Sequence, residues 1–169
     1  YFLQGYSFFL ALVMPITMAC GLFAGDIIHF FLGAKWGDAA PVFRLLAPTI
    51  LAFAIVNPLG WLLFSLGMGR RALLMSLVIA PVMIASFFVG LSFGPQGVAF
   101  AYSVVMLLWA VPAIAWAVRG TALSVAEILI AASRPLAAGV VAGLITVIVG
   151  RFCAEFAPLI RLLIQSSLL

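Results

Sequence analysis

Of the chain's 169 residues, 67% are hydrophobic and 7% charged, against roughly 25% charged in a soluble globular domain. So few polar side chains cannot coat a core against water, and with a mean hydropathy of +1.39 the composition predicts an integral membrane protein. The net charge of +4 comes from scattered basic residues with no basic, aromatic-interleaved face. That pattern predicts no nucleic-acid partner and reads as membrane topology signals.

A spanning helix needs about 20 apolar residues. The first span runs from Phe2 to about Phe23, contains Pro15, and is too long for a signal peptide. Period-two alternation is absent, which argues against a membrane barrel. Ala24 to Pro41 is the most polar stretch, with Asp26, His29, Lys35, Trp36 and Asp38 around an apolar patch at Ile27 to Leu32. It is expected to be an interfacial loop, with Trp36 at headgroup level. The second span runs from Val42 to Leu66, with Arg44 near its start, and Gly67 to Arg71 is expected to be a turn. Uncharged sequence from Ala72 to Val118 is too long for one helix and is divided by Phe93-Gly94-Pro95-Gln96-Gly97. The third span is therefore Ala72 to Leu91 and the fourth Val98 to Val118.

Ser124 followed by Glu127 matches a capping box, predicting a helix from Val125 that lies along the membrane surface. The fifth span is expected from Pro135, a favoured first-turn residue, to Phe152, closed by Arg151 and Glu155. Ala157 to Leu169 is either a partial sixth span or an interfacial helix. The chain starts at Tyr1 and stops at Leu169, in both cases within apolar sequence. The expectation is one transmembrane unit, residues 1–169, belonging to a longer protein. The fold class is all-α: a polytopic helical bundle of about five full spans plus a partial sixth. Alternating spans put Arg70, Arg71, Arg119 and Arg134 on one side and Lys35, Arg44, Arg151 and Arg161 on the other. The first group is packed into short turns, whereas the second is mixed with Asp26, Asp38 and Glu155, so the first side is assigned to the cytoplasm.

No enzyme signature is present. His29 has no visible nucleophile partner, and no glycine loop beside a lysine would cradle phosphate. Cys20, Cys153 and His29 do not complete a metal motif; neither metal nor cofactor is expected. The two cysteines fit a bridge in an oxidising compartment, or, better, buried free thiols.

Pro15, Pro58, Pro81 and Pro112 fall well inside the first four spans. Each removes a backbone bond and permits a kink, which makes them hinge candidates, although proline is common in membrane helices. Asn57 is the lone amide, acid or lysine deep in a span. It is a candidate substrate contact, with satisfaction of the backbone freed by Pro58, or a bond to a neighbouring helix, as the simpler reading. Arg44, Arg119 and Arg134 are candidate contacts for a diphosphate, whose oxygens match the guanidinium fork; each is equally readable as an interfacial anchor. Gly139 and Gly143 form a G-x-x-x-G pair read as close helix packing.

Four stretches then occur in a telling order: Phe31-Leu-Gly-Ala-Lys-Trp-Gly-Asp-Ala-Ala-Pro-Val-Phe-Arg-Leu-Leu-Ala47, Leu63-Phe-Ser-Leu-Gly-Met-Gly-Arg70, Gly94-Pro-Gln-Gly-Val-Ala-Phe-Ala101 and Ser133-Arg-Pro-Leu-Ala-Ala138. Over Phe2 to Gly150 this order resembles the C-terminal half of bacterial oligosaccharide flippases, the polysaccharide-transporter branch of the superfamily that also holds multidrug exporters. The resemblance implies two similar helical halves around a cavity, working by alternating access in the bacterial inner membrane. The cargo it implies is an oligosaccharide on a polyprenyl diphosphate, with the lipid bilayer, an N-terminal half and polysaccharide polymerase machinery as partners. It also implies that the Gly-Ala-Lys-Trp loop faces out and the Gly-Met-Gly-Arg turn faces in. A cation-coupled multidrug exporter is the main rival and would be expected to carry acids inside its helices. A non-transporting scaffold for polysaccharide assembly is the alternative from another class.

Overall fold

The computed structural model describes the backbone of residues 1–166 and the side chains of residues 1–148. Six helices follow one another: α1 (Phe2–Leu22), α2 (Ala24–Leu32), α3 (Ala39–Ser65), α4 (Gly69–Leu91), α5 (Gly94–Ala117) and α6 (Val125–Ser166), with a 3-10 turn at Ala34–Trp36. Five of them, α1, α3, α4, α5 and the Val125–Ile148 part of α6, are long and apolar enough to cross a membrane. The chain is thus a multi-pass, all-α bundle, as its composition requires. At ~1.5 Å per residue, the 21 residues of α1 cover the ~30 Å hydrocarbon core.

The helices form an arc in the order α6–α1–α3–α5–α4, with α3 central and packed on both α1 and α5. α1 and α6 run parallel, because Met14 lies on Gly139 and Met18 on Gly143. A Cβ at Gly139 would stand 2.1 Å from Met14 Cγ, and one at Gly143 3.1 Å from Met18 Sδ, so the expected G-x-x-x-G packing is present and its partner is a methionine pair. A shared core of Tyr6, Leu10, Leu59, Leu63, Ile114 and Ile128 joins α1, α3, α5 and α6. The buried polar side chains Thr17, Thr49, Ser86 and Ser103 each donate to a backbone carbonyl, as an apolar interior demands.

Connections follow local chemistry. α3 ends in a Schellman motif: Gly67 N–H donates to Phe64 O, Met68 N–H to Leu63 O, and Gly67 has φ +72°, a conformation that suits a residue without Cβ. Gly94, also at φ +72°, turns α4 into α5, and Pro95 follows in the first turn of α5. At the start of α6 the capping box is closed in both directions: Ser124 N–H donates to Glu127 Oε2 at 2.8 Å and Glu127 N–H to Ser124 Oγ at 3.2 Å.

Four expectations need correction. The polar stretch from Ala24 to Pro41 is not a plain loop, since α2 forms within it and buries Ala24 and Ile28 while Phe30 and Phe31 stay exposed. Gly69, Arg70 and Arg71 form the first turn of α4, because the Schellman motif already reverses the chain by Met68. The fourth span begins at Gly94 and not at Val98, because Pro95 needs no amide partner in a first helical turn. The largest correction concerns α6, where the surface helix from Val125 and the span from Pro135 are a single helix. Its buried positions Ile128, Ala132, Pro135, Gly139 and Gly143 step by four, three, four and four, one face carried straight through the proline. The backbone of α6 continues unbroken through Ala157 to Ser166, so the expected Ala157–Leu169 segment is no separate helix up to Ser166; Cys153 lies outside the residues whose side chains are described.

Candidate functional site

α3 stays helical through two prolines, Pro48 and Pro58. Each lacks the amide that would bond four residues back, which opens a turn and lets nearby carbonyls tilt outward. At Pro58 that turn is met from outside, since the buried Tyr6 hydroxyl of α1 donates to Ile55 O at 3.1 Å. Support for the loosened backbone therefore comes from Tyr6, on the α1 side. Asn57 is exposed and lines a groove of about 410 Å³ between α3 and α4.

Gly60, Met75, Ser76, Ile79 and Trp109 share that groove with Asn57. The Ser76 hydroxyl is tied to its own helix, donating to Ala72 O at 3.1 Å. The wall is thus mainly apolar, with one carboxamide and one indole. At one end it reaches Gly69 and Ala72, which bracket Arg70 and Arg71. There the Arg71 guanidinium donates to the carbonyl of Arg119, just beyond the C-terminus of α5, where a cation complements the helix dipole. One end of the bundle therefore gathers Arg70, Arg71 and Arg119, although none of the three lines the Asn57 groove.

The arginines singled out in the sequence divide between sites. Arg44 is exposed near the start of α3, ~30 Å along the helix from the end where Arg119 lies, so no single diphosphate reaches both. Arg134, also exposed, lines a different groove of about 570 Å³ between α1 and α6, with Gln4, Ser7 and Glu127. Glu127, expected in a surface helix, belongs to this groove through the first turn of α6. Of the four hinge candidates, Pro58 is buried, whereas Pro15, Pro81 and Pro112 are exposed; all lie within unbroken helices.

Trp109, Ser76, Tyr6 and Pro48 were not singled out by the sequence. For Trp109 and Ser76 no sequence signal exists, because their approach to Asn57 depends on which helices become neighbours. Pro48 had a signal, since it sits in the same apolar run as Pro58. Among the described residues no group of three or more His, Cys, Asp or Glu side chains could hold a metal ion.

No family model, curated protein or solved structure matches the chain.

Proposed function

We propose that the chain is part of a membrane transporter that moves polyprenyl-diphosphate-linked oligosaccharides across the bacterial inner membrane by alternating access. The observation that carries this reading is the Asn57 groove. A carboxamide exposed at mid-span is disfavoured in hydrocarbon unless a polar group meets it, and an amide beside an indole suits a sugar, with hydroxyls for the amide and a C–H face for the ring. The apolar remainder of the wall suits a lipid tail. The Arg70, Arg71 and Arg119 cluster at the same end of the bundle suits phosphate oxygens, and it fits the assignment of that end to the cytoplasm. The order of the Gly-Ala-Lys-Trp, Gly-Met-Gly-Arg and Gly-Pro-Gln-Gly motifs supports the same family.

The test is deletion of the gene in its own host. Lipid-linked oligosaccharide should accumulate on the cytoplasmic leaflet and surface polymer should be lost, and the natural gene on a plasmid should restore export. Asn57→Leu should restore at least about tenfold less at equal membrane level, the scale of one lost buried polar contact. Normal surface polymer after deletion, or full rescue by Asn57→Leu, would overturn the proposal.

A further inference from the structure

Three side-chain hydrogen bonds among the described residues join one membrane helix to a distant segment: Tyr6 to Ile55 O, Ser103 to Leu45 O and Arg71 to Arg119 O. The last caps a helix end. The other two both land on α3, and both land at the same place relative to a proline. Ile55 is three residues before Pro58 and Leu45 three residues before Pro48. The freed carbonyls are Ala54 O and Arg44 O, four residues before each proline, and the hydroxyl takes the next carbonyl along the same loosened turn. Tyr6 is 2% exposed and Ser103 4% exposed, so each hydroxyl is held in an apolar interior where its bond has no water to compete with.

The two breaks are ten residues apart, which on a helix is ~15 Å and ~80° short of three full turns. They therefore face different neighbours, α1 for Pro58 and α5 for Pro48, and these are the two helices on which α3 is packed. At the Pro48 break a third hydroxyl joins in, with Thr49 Oγ1 donating to Leu46 O at 2.6 Å. Repetition of one register at both proline breaks of α3, from hydroxyls on two different helices, is not expected of ordinary packing, in which a hydroxyl would meet carbonyls without regard to proline.

The geometry points to Tyr6 and Ser103 as positioning residues: their hydroxyls latch the two proline breaks of α3 to α1 and α5, and the Tyr6 latch sets the direction in which Asn57, two residues beyond Ile55, is presented to the groove. The latches concern transport only if the groove is the substrate path. The coupling between hydroxyl and proline stands apart from that reading.

The test is a pair of double-mutant cycles on the full chain in lipid bicelles, reading the folded-to-unfolded equilibrium. Tyr6→Phe should lower the equilibrium constant about three- to tenfold, the range for interhelical hydrogen bonds in membranes. In a Pro58→Ala background, where the residue-58 amide closes the turn again, the same substitution should change it by less than about twofold. Ser103→Ala should behave likewise against Pro48→Ala, and this second cycle decides if Pro58→Ala does not fold. Losses of equal size with and without the proline would overturn the proposal, because a merely structural hydroxyl would not sense residue 58 or residue 48. Export plays no part in the readout, so failure here leaves the transport proposal standing, and failure of transport leaves the latches standing.

Discussion

Two glycine contacts of similar closeness differ in what they touch, and the difference sets the outcome of substitution. A Cβ at Gly90 would meet backbone, at 2.6 Å from Val98 Cα and 2.8 Å from Gly97 O, so α4 and α5 must move apart. A Cβ at Gly139 would meet the Met14 side chain at 2.1 Å from Cγ, and methionine can change rotamer. Gly90→Ala should therefore destabilise by about 2–3 kcal/mol and Gly139→Ala by about 1 kcal/mol, both within the overpacking range. Adding Met14→Ala should relieve most of the Gly139→Ala loss, whereas no side-chain truncation relieves Gly90→Ala. Unfolding titrations in bicelles measure all three variants. A smaller loss for Gly90→Ala than for Gly139→Ala would mean that α4 and α5 are less tightly apposed than their backbones indicate.

At the level of the helix, what could be read from the chain was the chemistry local to a few residues. The Schellman glycine at Gly67, the turn at Gly94 and Pro95, and the Ser124–Glu127 capping box all appear where residue type alone predicts them. What could not be read was the choice between two local signals that agree with different structures. Pro135 is as good a first-turn residue as it is an interior membrane proline, and only the buried face Ile128, Ala132, Pro135 and Gly139 decides for one helix. The groove partners Trp109 and Ser76 were hidden for a different reason, since adjacency of helices is set by packing along their whole length. The unbroken α6 makes a direct prediction. Ile128 is fully buried while Ile130 is 59% exposed. Lipid is as apolar as a protein core, so alanine at 128 forfeits packing more than transfer energy, about 1–2 kcal/mol. Ile130→Ala should be near neutral. Equal small effects at both sites, read in the same bicelle titration, would restore the separate surface helix.

For the molecule as a whole, the bilayer supplies the burial that the arc does not provide for itself. Leu73, Leu77, Ile84, Phe88 and Val89 of α4 are all more than half exposed, a surface that suits hydrocarbon and would drive aggregation in water. Among the described residues Asp26, Lys35, Asp38 and Arg44 lie toward one end of the bundle and Arg70, Arg71, Arg119 and Glu127 toward the other, and the connectivity fixes which charges share an end. Arg71 meets the carbonyl of Arg119, so the α3–α4 turn and the α5–α6 loop lie together, with α3 separating them from Lys35 and Trp36. The arrangement is testable without knowing the substrate. In a Cys20→Ser, Cys153→Ser background, Leu66→Cys and Thr121→Cys should react with a membrane-impermeant maleimide from one face of sealed vesicles, and Trp36→Cys from the other. Leu66 and Trp36 are both exposed, so slow labelling cannot be put down to protein burial. Labelling of Leu66→Cys and Trp36→Cys from the same face would mean that α3 does not cross, and the Asn57 groove would then lie outside the hydrocarbon where its amide needs no ligand.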